Sequence, residues 1–199
     1  AINAWHHTKD QGGYDGAWIA YLHGDFDQYP ETILKHNLDQ VRARLDFMEQ
    51  DQEDPAQYSD AYFQRRNPVT CEGLVQLCLG GPLPHYKGGL LVTRLRHFDA
   101  QRQRPGLPPD VAVLVSKMTE EKTELHLVNL SASQHRQVLV QAGSMGEHHC
   151  TEVWADRAPQ STVVDDNTLE ISLPPRTEIV LELGMQRFVH NPTLALPYG

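Results

Sequence analysis

The chain has 199 residues and a mass of 22.5 kDa, enough for one domain or for one domain with an attached piece. Hydrophobic content of 40% and charged content of 22% describe a globular chain rather than a disordered one. A formal net charge of -9 argues against a nucleic-acid binder held by phosphate contacts and against a protein held on an anionic membrane surface.

The first hundred residues read as helical. A short helix is expected from Gly16 to His23, with Trp18, Ile19 and Leu22 as its apolar positions. A longer one starts at Pro30, which suits a first turn, and is followed by Glu31. Leu34, Leu38, Val41, Leu45 and Met48 then recur at spacings of four, three, four and three, which predicts one narrow apolar stripe against a larger body. Residues 51–60 are a polar connector. Asn67 and Pro68 signal the start of another helix, which Gly80-Gly81 stops. The stretches 81–89 and 101–110 are Pro/Gly loops.

From Val111 onward short apolar runs recur at intervals of roughly ten residues, the rhythm of an all-β domain. Strands are expected near 111–117, 123–130, 135–142, 147–154, 168–173 and 178–183. The fold class is therefore α+β: an N-terminal helical segment, the end of an α/α toroid or a helical cap, followed by an antiparallel β-sandwich of six to eight strands. The expected divisions are a helical segment 1–100, a linker 101–110 and a sandwich 111–199.

Cys71, Cys78 and Cys150 form no CxxC pair, which argues against a zinc ribbon or redox motif. Cys71 and Cys78 lie one heptad apart on the expected helix and suit a core. The odd count leans towards reduced thiols and a cytoplasmic setting. No apolar run approaches a membrane span.

Chemistry-bearing residues concentrate in WHHTKDQGGYDGAW. His6, His7, Lys9, Asp10, Tyr14 and Asp15 are candidates for acid–base catalysis, since a lyase or epimerase needs a base near neutral pKa. Trp5 and Trp18 are candidates for stacking on a sugar. His85, Tyr86 and Lys87, on a loop braced by prolines and glycines, are candidates for substrate binding. The plainer reading is a polar interhelical loop with a core tryptophan. His23, Asp25 and Asp27 offer one nitrogen and two carboxylates to a metal, or simply a turn. In the segment from Glu147 to Glu152, strand alternation puts His148, Cys150 and Glu152 on one face, all zinc-competent types or an ordinary half-polar edge. No metal or cofactor is assigned on these grounds. Arg94, Arg96, Arg102 and Arg104 form either an interdomain ion-pair belt or a local site for an anion such as a uronate.

Helical hairpins followed by a C-terminal β-sandwich resemble the tail of α/α-toroid enzymes, among them polysaccharide lyases, glycoside hydrolases and sugar epimerases. NTLEISLPPRTEIVLELG is similar to the last hairpin of such sandwiches, and GGYDGAWIAYLHGDFDQYP resembles a helix-pair junction of linalool dehydratase/isomerase-type toroids. The resemblance implies the C-terminal portion of a larger enzyme acting on carbohydrate-like or polyhydroxylated substrates, a lyase, hydrolase or epimerase. Its partners would be a small-molecule or glycan substrate and the remainder of a longer chain or a partner subunit, with no nucleic acid and no membrane. GYDGAWIA also looks like the GxDGxWxA string of malate synthases, but the strands of their TIM barrel are missing. The alternative expectation is a free-standing β-sandwich binding module with a helical cap, using exposed aromatics such as Trp154.

Overall fold

The computed structural model describes residues 14–59, 61, 72–82, 92–156 and 158–198. The chain divides into two compact units, Ala1–Leu74 and Val75–Gly199.

The first unit holds helices α1 (Tyr14–Leu22) and α2 (Tyr29–Gln50) and a 3-10 turn at Pro55–Gln57. Pro30 lies in the first turn of α2, where a missing N–H costs nothing, and Glu31 faces the positive end of the helix dipole. At the far end the chain turns extended at Asp51. Asp51 accepts from the N–H of Glu53 and from the Tyr58 hydroxyl, both at 3.0 Å, and Asp54 caps the 3-10 turn through the N–H of Ala56. Helix α3 (Glu72–Leu79) follows and ends at Gly80, which adopts a left-handed φ of 62°.

Helix α2 lies with a different face inward from the one its spacing predicts. Tyr29, Ile33 and Asn37 are buried, a row one residue out of step with the Leu34–Met48 stripe and hence about 100° round the helix. The rings of Tyr21 and Phe26 stand 6.0 and 5.8 Å from that of Tyr29 and pin this rotation. Leu34, Leu38, Leu45 and Met48 are left exposed, Leu38 by 56%.

The second unit is a β-sandwich. Its strands are β1 (Leu95–Asp99), β2 (Arg104–Pro105), β3 (Val111–Met118), β4 (Lys122–Asn129), β5 (Arg136–Ala142), β6 (His149–Ala155), β7 (Thr162–Asp166), β8 (Thr168–Leu173) and β9 (Glu178–Gln186). One sheet has the order β2-β1-β5-β8 and the other β3-β4-β9-β6-β7, with antiparallel pairing throughout. The six expected strands are present. The structure adds β7 and, upstream of the expected boundary at 111, β1 and β2. Leu95–Asp99 lies in the stretch expected to be helical, yet pairs along β5 from Leu95↔Ala142 to Asp99↔Val138. LRHFD is too short to show a period by itself; its neighbour in space supplies the ladder.

Alternation along β4 puts Thr123, Leu125 and Leu127 inside and Glu124 and His126 outside. Leu95, Val113, Val115, Leu125, Leu127, Val138, Val140, Cys150, Leu173 and Leu183 close the core between the sheets. Two polar knots tie the loops. Asn129, fully buried, donates from Nδ2 to the carbonyls of Gln134 (2.8 Å), Leu173 (2.9 Å) and Pro174 (3.1 Å), and accepts at Oδ1 from the N–H of Ser131 (3.0 Å). Glu147, also buried, accepts from the N–H groups of Ser144 (3.2 Å) and Met145 (2.7 Å).

Candidate functional site

Helices α1 and α2 pack on each other. Tyr14 and Asp15 are the first two residues of α1. Trp5, His6, His7, Lys9 and Asp10 lie outside the described residues, as do His85, Tyr86 and Lys87. Trp18 is only 6% exposed, so its ring presents no open stacking face. Its indole N–H finds no acceptor among the described residues.

The same is true of two α2 side chains that inspection of the sequence did not single out. His36 Nε2 and both polar atoms of the Asn37 amide are buried without a hydrogen-bond partner. Burial lowers the His36 pKa, with Asp39 opposing and Arg44 adding to the shift. Asn37 is enclosed further by Gly73, where a Cβ would come within 2.7 Å of Asn37 Oδ1. Buried polar groups in folded proteins are almost always satisfied. Trp18, His36 and Asn37 therefore each carry a buried polar group that an external partner could satisfy: a ligand, a water or another segment. The sequence signal was faint, an Asn in register with Tyr29 and Ile33 on an otherwise buried row.

The metal arrangements considered from the sequence are not assembled. His23 and Asp25 lie in the turn after α1, where their N–H groups close onto Ile19 O and Ala20 O and Gly24 takes a φ of 80°. Among the described residues no group of three or more His, Cys, Asp and Glu is placed to hold an ion. In β6 the register shifts between Cys150 and Glu152, so simple alternation fails. Cys150 turns into the core, where burial pushes its thiol up to about 11, while Glu152 faces outward. His148 is buried and accepts the Phe188 N–H at Nδ1 (3.1 Å), with the two rings edge-on at 4.6 Å. His149 bridges Asp165 (3.0 Å) and His190 (3.1 Å).

The four arginines split into two pairs. Arg102 and Arg104 lie near the buried carboxylate of Asp99, at 4.0 and 3.5 Å. Arg94 donates to the carbonyls of Thr119 (2.9 Å) and Glu120 (3.4 Å), and Arg96 to that of Ser144 (3.1 Å). On the outer face of the five-stranded sheet, Trp154 is half-buried. Lys122 Nζ sits 4.5 Å from its ring centroid and is held by Glu182 at 2.6 Å, so one face of the indole is covered.

Residues 2–75 match a family model described as Domain of unknown function (DUF8034), which covers less than half of the chain. The matched span and the first structural unit end within one residue of each other. No curated protein matches the chain. Among solved structures, 39% of the chain aligns with part of a protein described as an alpha-galactosidase from Bacteroides fragilis, at 13% identity and a TM-score of 0.33. The same share aligns with part of a GH27 β-L-arabinopyranosidase from Geobacillus stearothermophilus, at 20% identity and a TM-score of 0.33. The aligned parts span 16% and 18% of those chains. No helix among the described residues is long and apolar enough to cross a membrane.

Proposed function

We propose that this chain is the C-terminal portion of a larger helical-toroid enzyme acting on carbohydrate-like or polyhydroxylated substrates, by lysis, hydrolysis or epimerisation. The sandwich is a structural partner with no chemistry of its own. The observation that carries the reading is the two-sided apolarity of α2. One row (Tyr29, Ile33) is buried inside the first unit, and a second row (Leu34, Leu38, Leu45, Met48) is exposed at heptad spacing. A helix apolar on two faces is built to pack on two sides, as in an array of hairpins. The unpartnered groups of Trp18, His36 and Asn37 support the same reading, since a substrate or a neighbouring hairpin would satisfy them.

The substrate class rests on the sequence resemblance. In this scheme His6, His7, Lys9, Asp10, Tyr14 and Asp15 supply the acid–base groups, and Trp5, His85, Tyr86 and Lys87 hold the substrate. Trp18 contributes its indole N–H instead of a stacking face. The intact mass of the native protein from its source, with sequence read upstream of Ala1, tests the proposal. A larger chain carrying further helical hairpins is expected. A native mass of 22.5 kDa would overturn it and leave the binding-module alternative.

A further inference from the structure

A pocket of about 260 Å³ opens in the second unit, lined by Leu79, Thr93, Arg96, Ser144, Met145 and Leu194. Its walls are largely hydrocarbon, yet it holds one fixed cation. Arg96 is half-buried, and no described carboxylate lies within ion-pair distance of it, whereas Arg102 and Arg104 have Asp99 and Arg136 has Asp110. Its contacts are one hydrogen bond from Nη1 to Ser144 O (3.1 Å) and the Phe98 ring, 4.8 Å from the guanidinium carbon to the centroid. A guanidinium has five N–H donors, so most of its capacity is unused. Glu147, which neighbours the pocket in sequence, has its carboxylate occupied by the N–H groups of Ser144 and Met145.

The surroundings add positive charge. Arg94, two residues away, is buried and bonded only to carbonyls in its side-chain contacts. Burial and the nearby Arg187 lower its pKa to about 10, so it remains charged at neutral pH. Arg94 and Arg96 thus stand two residues apart with only carbonyls as side-chain hydrogen-bond acceptors among the described residues, while the buried Glu147 carboxyl is turned to the N–H groups of Ser144 and Met145.

We propose that this pocket binds a small organic monocarboxylate, its carboxylate on the Arg96 guanidinium and its apolar body against Leu79, Met145 and Leu194. Planar, two-pronged pairing with a carboxylate is what a guanidinium favours. The volume is below that of drug-sized sites, which sets the scale of the ligand. A sugar acid such as a uronate fits less well, because its hydroxyls would face the three apolar side chains without partners. The site is independent of the toroid proposal, as all its residues belong to the second unit.

The test is an NMR titration of the isotope-labelled chain with sodium hexanoate, n-hexanol, sodium glucuronate and inorganic phosphate. Hexanoate is expected to give saturable amide shifts at Thr93, Ser144 and Met145 and to bind more tightly than the other three. Arg96→Gln should weaken hexanoate about tenfold or more, the scale of one charged hydrogen-bonded contact, and leave hexanol unchanged. Leu194 is exposed, so Leu194→Asp should leave the fold intact while repelling hexanoate and sparing hexanol. It serves as the second variant if Arg96→Gln does not fold. Equal binding of hexanol would reduce the site to an apolar patch, and equal binding of phosphate to a bare cation. Tighter glucuronate would overturn the apolar half of the proposal. No saturable shift at the pocket, or an unchanged affinity in both variants, would overturn it altogether.

Discussion

Removing the Asn129 side chain amide is the sharpest perturbation of the sandwich. The amide joins the end of β4, the following loop and the turn between β8 and β9, through contacts at 2.8, 2.9, 3.1 and 3.0 Å. Its two N–H hydrogens serve three carbonyls, so one is shared. Asn129→Ala leaves those carbonyls and the Ser131 N–H to find other partners in a place that solvent reaches poorly, Asn129 itself being 0% exposed. An unsatisfied buried group costs about 1–3 kcal/mol. With water repairing the more open side near Gln134, the expected loss is about 3–5 kcal/mol. That is a large part of the ~5–15 kcal/mol of a typical domain. Asn129→Asp separates hydrogen bonding from packing. It keeps the shape and the acceptor for Ser131, but sets a carboxylate oxygen against three carbonyls, or forces it to bind a proton it would not hold in water. Aspartate should therefore cost at least as much as alanine. Urea unfolding followed by the β-sheet circular dichroism measures both, with the midpoint falling and the slope unchanged. An alanine cost below about 1 kcal/mol, or an aspartate milder than alanine, would refute the assignment of a buried four-contact knot.

Three further outcomes follow from the same structure. Gly143 has a φ of 87°, and a Cβ there would overlap the Glu147 carboxyl, so Gly143→Ala should destabilise the sandwich by about 2–4 kcal/mol; a neutral effect in thermal unfolding would contradict the Glu147 knot. Burial pushes the thiols of Cys78 and Cys150 up to about 11, so both should resist iodoacetamide at pH 8 in the folded chain and react once it is unfolded; peptide mapping that finds either modified at the rate of a free thiol would refute their burial. His97 is fully enclosed, donates from Nε2 to Cys78 O at 2.6 Å, and burial lowers its pKa to about 4 against 6.5 in the open chain. Between those values the unfolded chain binds the extra proton, so stability is intact above pH 6.5 and falls as the pH drops towards 4, by up to about 3 kcal/mol. His97→Gln should flatten that slope in urea titrations at several pH values, and an unchanged slope would place the acid sensitivity elsewhere.

The start of α2 and most strands were legible because they rest on local chemistry, while the start expected at Asn67-Pro68 lies outside the described residues. Pro30 and Glu31 open α2 wherever that helix packs. The alternation KTELHLVN is a strand with one inner face by its own arithmetic, and Leu173-Pro174-Pro175 ends β8 through the lost N–H groups. The α/α toroid belongs to the resemblance and to the proposal built on it. The candidate site was less legible. Trp18 belonged to the polar segment that drew notice, but its burial and idle N–H depend on what surrounds α1. His36 and Asn37 carry no motif, and Arg96 read as one of four equivalent arginines until Asp99 was found beside Arg102 and Arg104 only.

What the sequence by itself determined is the change from helical to β periodicity and the place of six of the nine strands among the described residues, with the inner face of a strand such as KTELHLVN, since these follow from side-chain spacing along one segment. Tertiary structure alone decided which row of α2 turns inward, that LRHFD is a strand, that a register shift parts Glu152 from the face of Cys150, and that Asp99 lies beside Arg102 and Arg104. Each of these turns on a partner remote in the chain: the rings of Tyr21 and Phe26 for α2, β5 for β1, β9 for β6, and Asp99 for the arginine pairs. Burial and pairing are properties of two surfaces meeting, and a single segment carries only one of them.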